Sequence, residues 1–107
     1  MENAGSRDYS TIMRNLNLLA ARSNVPMIVL SQVPRSCEER PDKRPLLHDL
    51  REYGCIERMA EIILFLYRES YYNPACDAPN QAECIVAKNH INSGTGTINF
   101  DWEKNYD

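Results

Sequence analysis

The sequence predicts an α/β domain with a mostly parallel sheet and a C-terminal hairpin, and three observations predict it. Continuous apolar runs stand at residues 27–30 and 62–67, the kind found in strands covered on both faces. A one-sided spacing of apolar residues ahead of them marks a helix. Two shorter β-type runs behind them flank a turn rich in Asn, Ser and Gly.

Residues 1–8 are polar, carry Gly5 and read as a flexible lead-in, leaving 9–107 as the domain. Between residues 9 and 22, Ile12, Leu16, Leu19 and Ala20, with Met13 beside them, recur at amphipathic helical spacing, and Asp8 or Ser10 can cap the start. Asn24 and Pro26 end that helix. Residues 27–30 then form a strand, and residues 31–47 a long polar connection punctuated by Pro34, Pro41 and Pro45. Residues 48–60 suit one or two short helical turns broken at Gly54. Residues 61–67 are the clearest strand, 68–81 a loop with Pro74 and Pro79, 82–87 a further strand, 92–96 a turn and 97–100 a returning strand. One long helix cannot cover both faces of such a sheet. The chain is therefore expected to belong to a larger α/β domain, or to complete its open sheet edges as a homo-oligomer.

Bulk composition excludes several classes. The 107 residues make one small domain, 25% charged and 43% hydrophobic, as in ordinary soluble proteins. A net charge of −3 argues against broad electrostatic affinity for nucleic acid, so any anion site must be local. Residues 62–67 are too short to span a bilayer and no signal-peptide pattern opens the chain, so a cytoplasmic protein with no membrane association is expected. Cys37, Cys55, Cys76 and Cys84 fit neither a CxxC pair nor a zinc ribbon and read as free thiols. His48 and His90 show no ligand spacing, and no metal site is expected.

Three strings carry a more specific signal: "LSQ" at 30–32 followed by "RSCEERPDKRP", "DLREYGCIE" at 49–57, and "LFLYRESYYNP" at 64–74, with "AECIVAKN" and "GTGTINF" behind them. In this order and spacing the chain, over residues 9–100, resembles the C-terminal part of a DnaB-type replicative DNA helicase. That resemblance implies the second half of a RecA-like (P-loop NTPase) domain. The family forms hexameric rings that encircle single-stranded DNA and hydrolyse ATP, with Mg²⁺, between neighbouring subunits. The family's Walker A and Walker B motifs are not among these 107 residues: no GxxxxGK(S/T) occurs, and the glycines are Gly5, Gly54, Gly94 and Gly96. Without a phosphate cradle or a Mg²⁺ ligand, phosphoryl transfer lacks electrostatic support, so the isolated chain is expected to be inactive and to need no cofactor of its own.

The resemblance also places site residues. Gln32 follows the strand at 27–30, at the sheet end where ligands of open α/β folds collect, and corresponds to the family's γ-phosphate sensor. Taken alone, it could simply terminate the strand. Arg51, Glu52 and Gly54 match the family segment that holds the single-stranded DNA backbone. Arg suits the fork geometry of phosphate, and Gly lets main chain approach closely. One copy would hold DNA feebly, since electrostatic affinity grows with the number of phosphates neutralised. Lys88 keeps the first position of a family Lys-x-Arg pair that reaches the neighbouring subunit's nucleotide. His90 stands where that pair has its arginine finger; a neutral imidazole offers no bidentate fork.

The remaining charged and aromatic residues have blander readings. Arg35, Arg40, Lys43 and Arg44 alternate with Glu38, Glu39 and Asp42, which leaves a weak local field and two readings open, a solvated face or further phosphate contacts. Tyr67, Tyr71, Tyr72 and Trp102 are expected to pack rather than to stack on bases. Beside the helicase-derived reading stand two others: a non-hydrolysing single-stranded-DNA-binding or regulatory module, and a structural remnant of a prophage or split helicase gene.

Overall fold

The computed structural model describes residues 4–103, without the side chains of residues 4–8 and 51–53. The chain folds as two compact units, residues 1–60 and 61–107.

The first unit opens with helix α1 (Ala4–Ser23), which starts five residues before the expected Tyr9 and so takes in part of the expected lead-in. Met13 is buried and Leu16 and Ala20 half-buried on one stripe, whereas Ile12 and Leu19 of the expected stripe face solvent. The helix packs on helix α2 (Gly54–Met59) and on a 3-10 helix (Leu47–Tyr53). It ends as its sequence requires. Asn24 turns left-handed (φ 56°) and its N–H donates to the Ala20 carbonyl at 2.9 Å, a single-residue cap that asparagine tolerates. A second 3-10 turn (Arg35–Glu39) interrupts the polar connection and buries Cys37.

The apolar run at 27–30 departs from expectation. It forms no strand, and Ile28 and Leu30 are 88% and 92% exposed. An apolar run states that a segment would profit from cover on both faces, but a strand also needs a neighbour to bond, and no described residue pairs with it. Gln32 is accordingly an exposed residue of an irregular segment and not the tip of a strand.

The second unit is a three-stranded sheet in the order β1-β2-β3: β1 (Ile62–Tyr67), β2 (Gln81–Asn89) and β3 (Gly96–Asp101). Both pairings are antiparallel, so the expected mostly parallel sheet is not found among the described residues; the expected C-terminal hairpin is β2-β3. The expected loop at 68–81 contains one helical turn, α3 (Glu69–Tyr72). Strand β1 alternates: Ile63, Phe65 and Tyr67 are buried, while Ile62, Leu64 and Leu66 are exposed. Directly paired residues share a face. Leu64 lies opposite Val86, Leu66 opposite Cys84, and Cys84 in turn opposite Ile98, which gives the sheet one apolar face with exposed members. Between Ile63 and Leu64 the register shifts, since Ile63 faces Lys88 and Leu64 faces Val86, leaving Ala87 as a bulge. At the far end the Arg68 guanidinium lies 4.7 Å from the Trp102 ring centroid and 6.0 Å from that of Tyr71. Tyr72 stacks on Tyr67 and meets Tyr71 edge-on, so these aromatics pack, as expected. All four cysteines are free thiols.

Candidate functional site: the turn at residues 40–54

The segment that carries the expected DNA contacts is built around Asp49, a buried carboxylate. Its two oxygens accept from the two terminal nitrogens of Arg40, Nη1 to Oδ1 at 2.8 Å and Nη2 to Oδ2 at 2.9 Å. Oδ2 also accepts the Leu46 N–H at 2.7 Å, and the Asp49 N–H donates back to the Leu46 carbonyl at 2.8 Å. Arg40 Nη2 reaches the Arg44 carbonyl at 2.8 Å as well. A buried carboxylate needs partners for its lone pairs, and a guanidinium fork satisfies two at once. The result is a clasp that draws residues 40–44 against the start of the 3-10 helix.

The electrostatics follow from that geometry. The Arg40 hydrogen bonds hold the Asp49 carboxyl below its ordinary range, against the upward push of burial, and the Asp49 carboxylate raises Arg40 in turn. The Arg44 N–H and side chain likewise lower Asp42, which they bind at 3.1 and 3.2 Å. Burial raises the Cys37 thiol, with the Asp49 carboxylate adding to the effect. That cysteine is therefore a packed thiol and not an activated one.

The expected site residues are divided between the two units. Arg51 and Glu52 lie in the 3-10 helix, and their side chains are outside the described residues. Gly54 joins the 3-10 helix to α2 with ordinary helical angles, φ −53° and ψ −27°, and a Cβ placed on it would have nothing within 4 Å. Neither backbone angle nor packing requires glycine there. Gln32 belongs to the first unit; Lys88 and His90 belong to the second. Lys88 is half-buried in β2, and His90 is exposed in the turn after it, its N–H donating to the Glu61 carbonyl at 2.8 Å. Asn89 and Asn92 tie that turn through a 2.7 Å side-chain bond, with Asn92 Oδ1 accepting the Gly94 N–H at 3.0 Å.

These residues do not by themselves fit a nucleotide with its metal. Among the described residues no three His, Cys, Asp or Glu side chains stand together as a metal site, and the sequence supplies no phosphate loop. The clasp was not legible from the charge pattern. Arg40 is one basic residue in a run of alternating signs, and its partner is nine positions away. The available signal was Asp49 itself, an acid amid Leu46, Leu47 and Leu50 and the third residue of a helical segment, where a carboxylate can cap.

Known structures define the class. A solved structure described as an ATPase domain superposes with a TM-score of 0.82 at 42% identity, covering 88% of this chain and 33% of that one. A DnaB-like replicative helicase, solved in a study of its interactions with primase, gives 0.83 at 43% identity, covering 89% and 23%. Residues 1–107 match the family described as DnaB-like helicase C terminal domain, and the chain belongs to that family. The replicative DNA helicase DnaB of Geobacillus stearothermophilus is 45% identical over 100 residues, and DnaC of Bacillus subtilis 42% over 100 residues. Each alignment takes in 94% of this chain, which spans 22% of the length of either relative. No helix among the described residues is long and apolar enough to cross a membrane.

Proposed function

We propose that this chain is a DNA-contacting and nucleotide-sensing part of a replicative helicase motor. In this reading Arg51, Glu52 and Gly54 meet the backbone of single-stranded DNA inside a ring of subunits, and the ring unwinds duplex DNA at the replication fork. The carrying observation is Gly54. A glycine in a helical conformation with open space at its Cβ position lowers helix stability and gives the fold nothing in return. Close approach of a phosphate backbone explains it.

ATP and Mg²⁺ drive such motors by phosphoryl transfer, and the groups that cradle and activate them lie outside these 107 residues. Within the motor, Gln32 senses the nucleotide's γ-phosphate and Lys88 reaches the neighbouring subunit's nucleotide. His90, exposed beside it, supplies a weaker finger than arginine would. Residues 27–30 become a strand of a larger, mostly parallel sheet once the rest of the domain supplies partners. Their exposure supports this, as does the exposed side of β1: covering Leu66, now 70% exposed, would contribute about 1.5–3 kcal/mol.

Gly54→Ala tests the reading. Alanine should raise the helical stability of the first unit by about 0.5–1 kcal/mol while weakening binding of single-stranded DNA. Melting followed by circular dichroism and an NMR titration with oligodeoxythymidylate measure the two. A variant that is less stable, or that binds as well as the wild type, contradicts the reading. The 107 residues alone should release no phosphate from ATP, with or without DNA, in a coupled assay.

A further inference from the structure

We infer that Arg40 and Asp49 are positioning residues for the nucleic-acid contact at residues 51–54, an inference that rests on the reading just proposed. The seven-residue 3-10 helix (Leu47–Tyr53) is longer than such helices usually run, because their hydrogen bonds are poorly aligned. It needs outside support, and the clasp supplies it at the N-terminal turn. Three donors converge on the Asp49 carboxylate, and the Asp49 N–H is bonded in the opposite sense to Leu46. The first turn is thereby fixed through both main chain and side chain. Arg51 comes two residues after Asp49, roughly 4 Å of helix rise, so any drift of the anchored turn is passed directly to the residue expected to meet phosphate.

With its oxygens occupied by Arg40 in fork geometry, the Asp49 charge is offset and its lone pairs are taken. The clasp thus holds the contact turn in place.

The test is an amide chemical-shift titration of the 107-residue chain with short oligodeoxythymidylate at low salt. It compares wild type, Asp49→Asn, Arg40→Lys, Arg51→Ala and the double variant Asp49→Asn/Arg51→Ala. Asp49→Asn should weaken binding roughly fivefold, and Arg40→Lys should weaken it less, as expected for directly coupled neighbours. In the Arg51→Ala background the Asn substitution should have no further effect. A pair that only staples the fold would not produce that dependence on Arg51. If Asp49→Asn does not fold, Arg40→Lys with and without Arg51→Ala gives the same comparison. Binding that requires Arg51 but is unchanged by Asp49→Asn and Arg40→Lys overturns the positioning role and leaves the DNA contact standing. Equal weakening with and without Arg51 also overturns it. Absence of DNA-dependent shifts at residues 47–54, or an Arg51→Ala variant that binds as wild type does, overturns the contact and the positioning role together.

Discussion

Residues 1–60 and 61–107 organise their chains by different means. In the first unit a buried carboxylate gathers donors from Arg40 and from the main chain, and fixes a loop and a 3-10 helix that apolar contact alone would leave poorly specified. In the second, a ladder of paired strands and an alternating apolar pattern set the register, and ring contacts close the far end. Polar convergence suits a segment that must hold one particular main-chain conformation. Apolar alternation suits a sheet, because a slip of one residue would turn every side chain over. A turn carrying a proposed phosphate contact and a strand forming a scaffold thus have different needs, and each unit meets its own.

That contrast can be broken or sharpened by substitution. Phe65→Ala should have the largest effect: removal of a buried ring from β1 costs about 3–5 kcal/mol. Hydrogen exchange should show the loss as fast exchange along β1 and β2. Protection there equal to that of the wild type would mean that apolar burial does not hold the sheet.

Asp49→Ala comes next, at about 2–3 kcal/mol for the charge-assisted bonds it loses. Hydrogen exchange should place this loss in residues 40–53. The same carboxylate gives a pH signature. Its pKa in the folded state lies below the unfolded value, so its contribution is fully present above about pH 4, near the unfolded carboxylate value. The contribution disappears as pH falls through the folded pKa. Melting temperatures measured down the acid limb should therefore drop less steeply in Asp49→Asn than in the wild type. Parallel acid limbs would assign the wild-type drop to other carboxylates.

Gly96→Ala should cost about 1–3 kcal/mol without any clash. Gly96 sits at φ +151°, where side-chain-bearing residues are strained, yet nothing lies near its Cβ position. Chemical denaturation should show a shifted midpoint with an unchanged slope. Arg68→Ala should be the smallest, at about 0.5–1 kcal/mol for the contact with Trp102. Fluorescence of the single tryptophan reads it directly.

Much of this was legible in the sequence because it depends on neighbours a few residues away. Part of the α1 stripe (Met13, Leu16 and Ala20), its stop at Asn24 and the three strands of the second unit rest on local spacing or turn chemistry, whereas at Gly54, where a break was expected, the 3-10 helix passes directly into α2. Residues 27–30 show the limit. Their composition specifies a wish for burial, but the pairing partner that would make them a strand is not encoded in them. The Arg40–Asp49 clasp was hidden for the opposite reason: its partners are present, but charge alternation along a chain does not say which two ends will meet. Family resemblance is what points to Arg51, Glu52 and Gly54, and the Arg40–Asp49 clasp stands at the N-terminal turn of the 3-10 helix that runs up to Gly54.

The bulge at Ala87 bears on how this hairpin can vary. Strand β2 runs in step with β1 from Glu83 to Val86, then admits one surplus residue, and beyond it the parity of the strand is reversed. Lys88 is thereby delivered to the side of Ile63, Phe65 and Tyr67, where an unbroken ladder would have sent it to the side of Leu64 and Leu66. Deletion of Ala87 would remove the bulge and leave the ammonium opposite Ile63, on the side it already occupies, whereas pairing Ala87 into the ladder would carry it to the opposite surface. The unpaired state of Ala87, and not the number of residues in the strand, is thus what sets the side of Lys88.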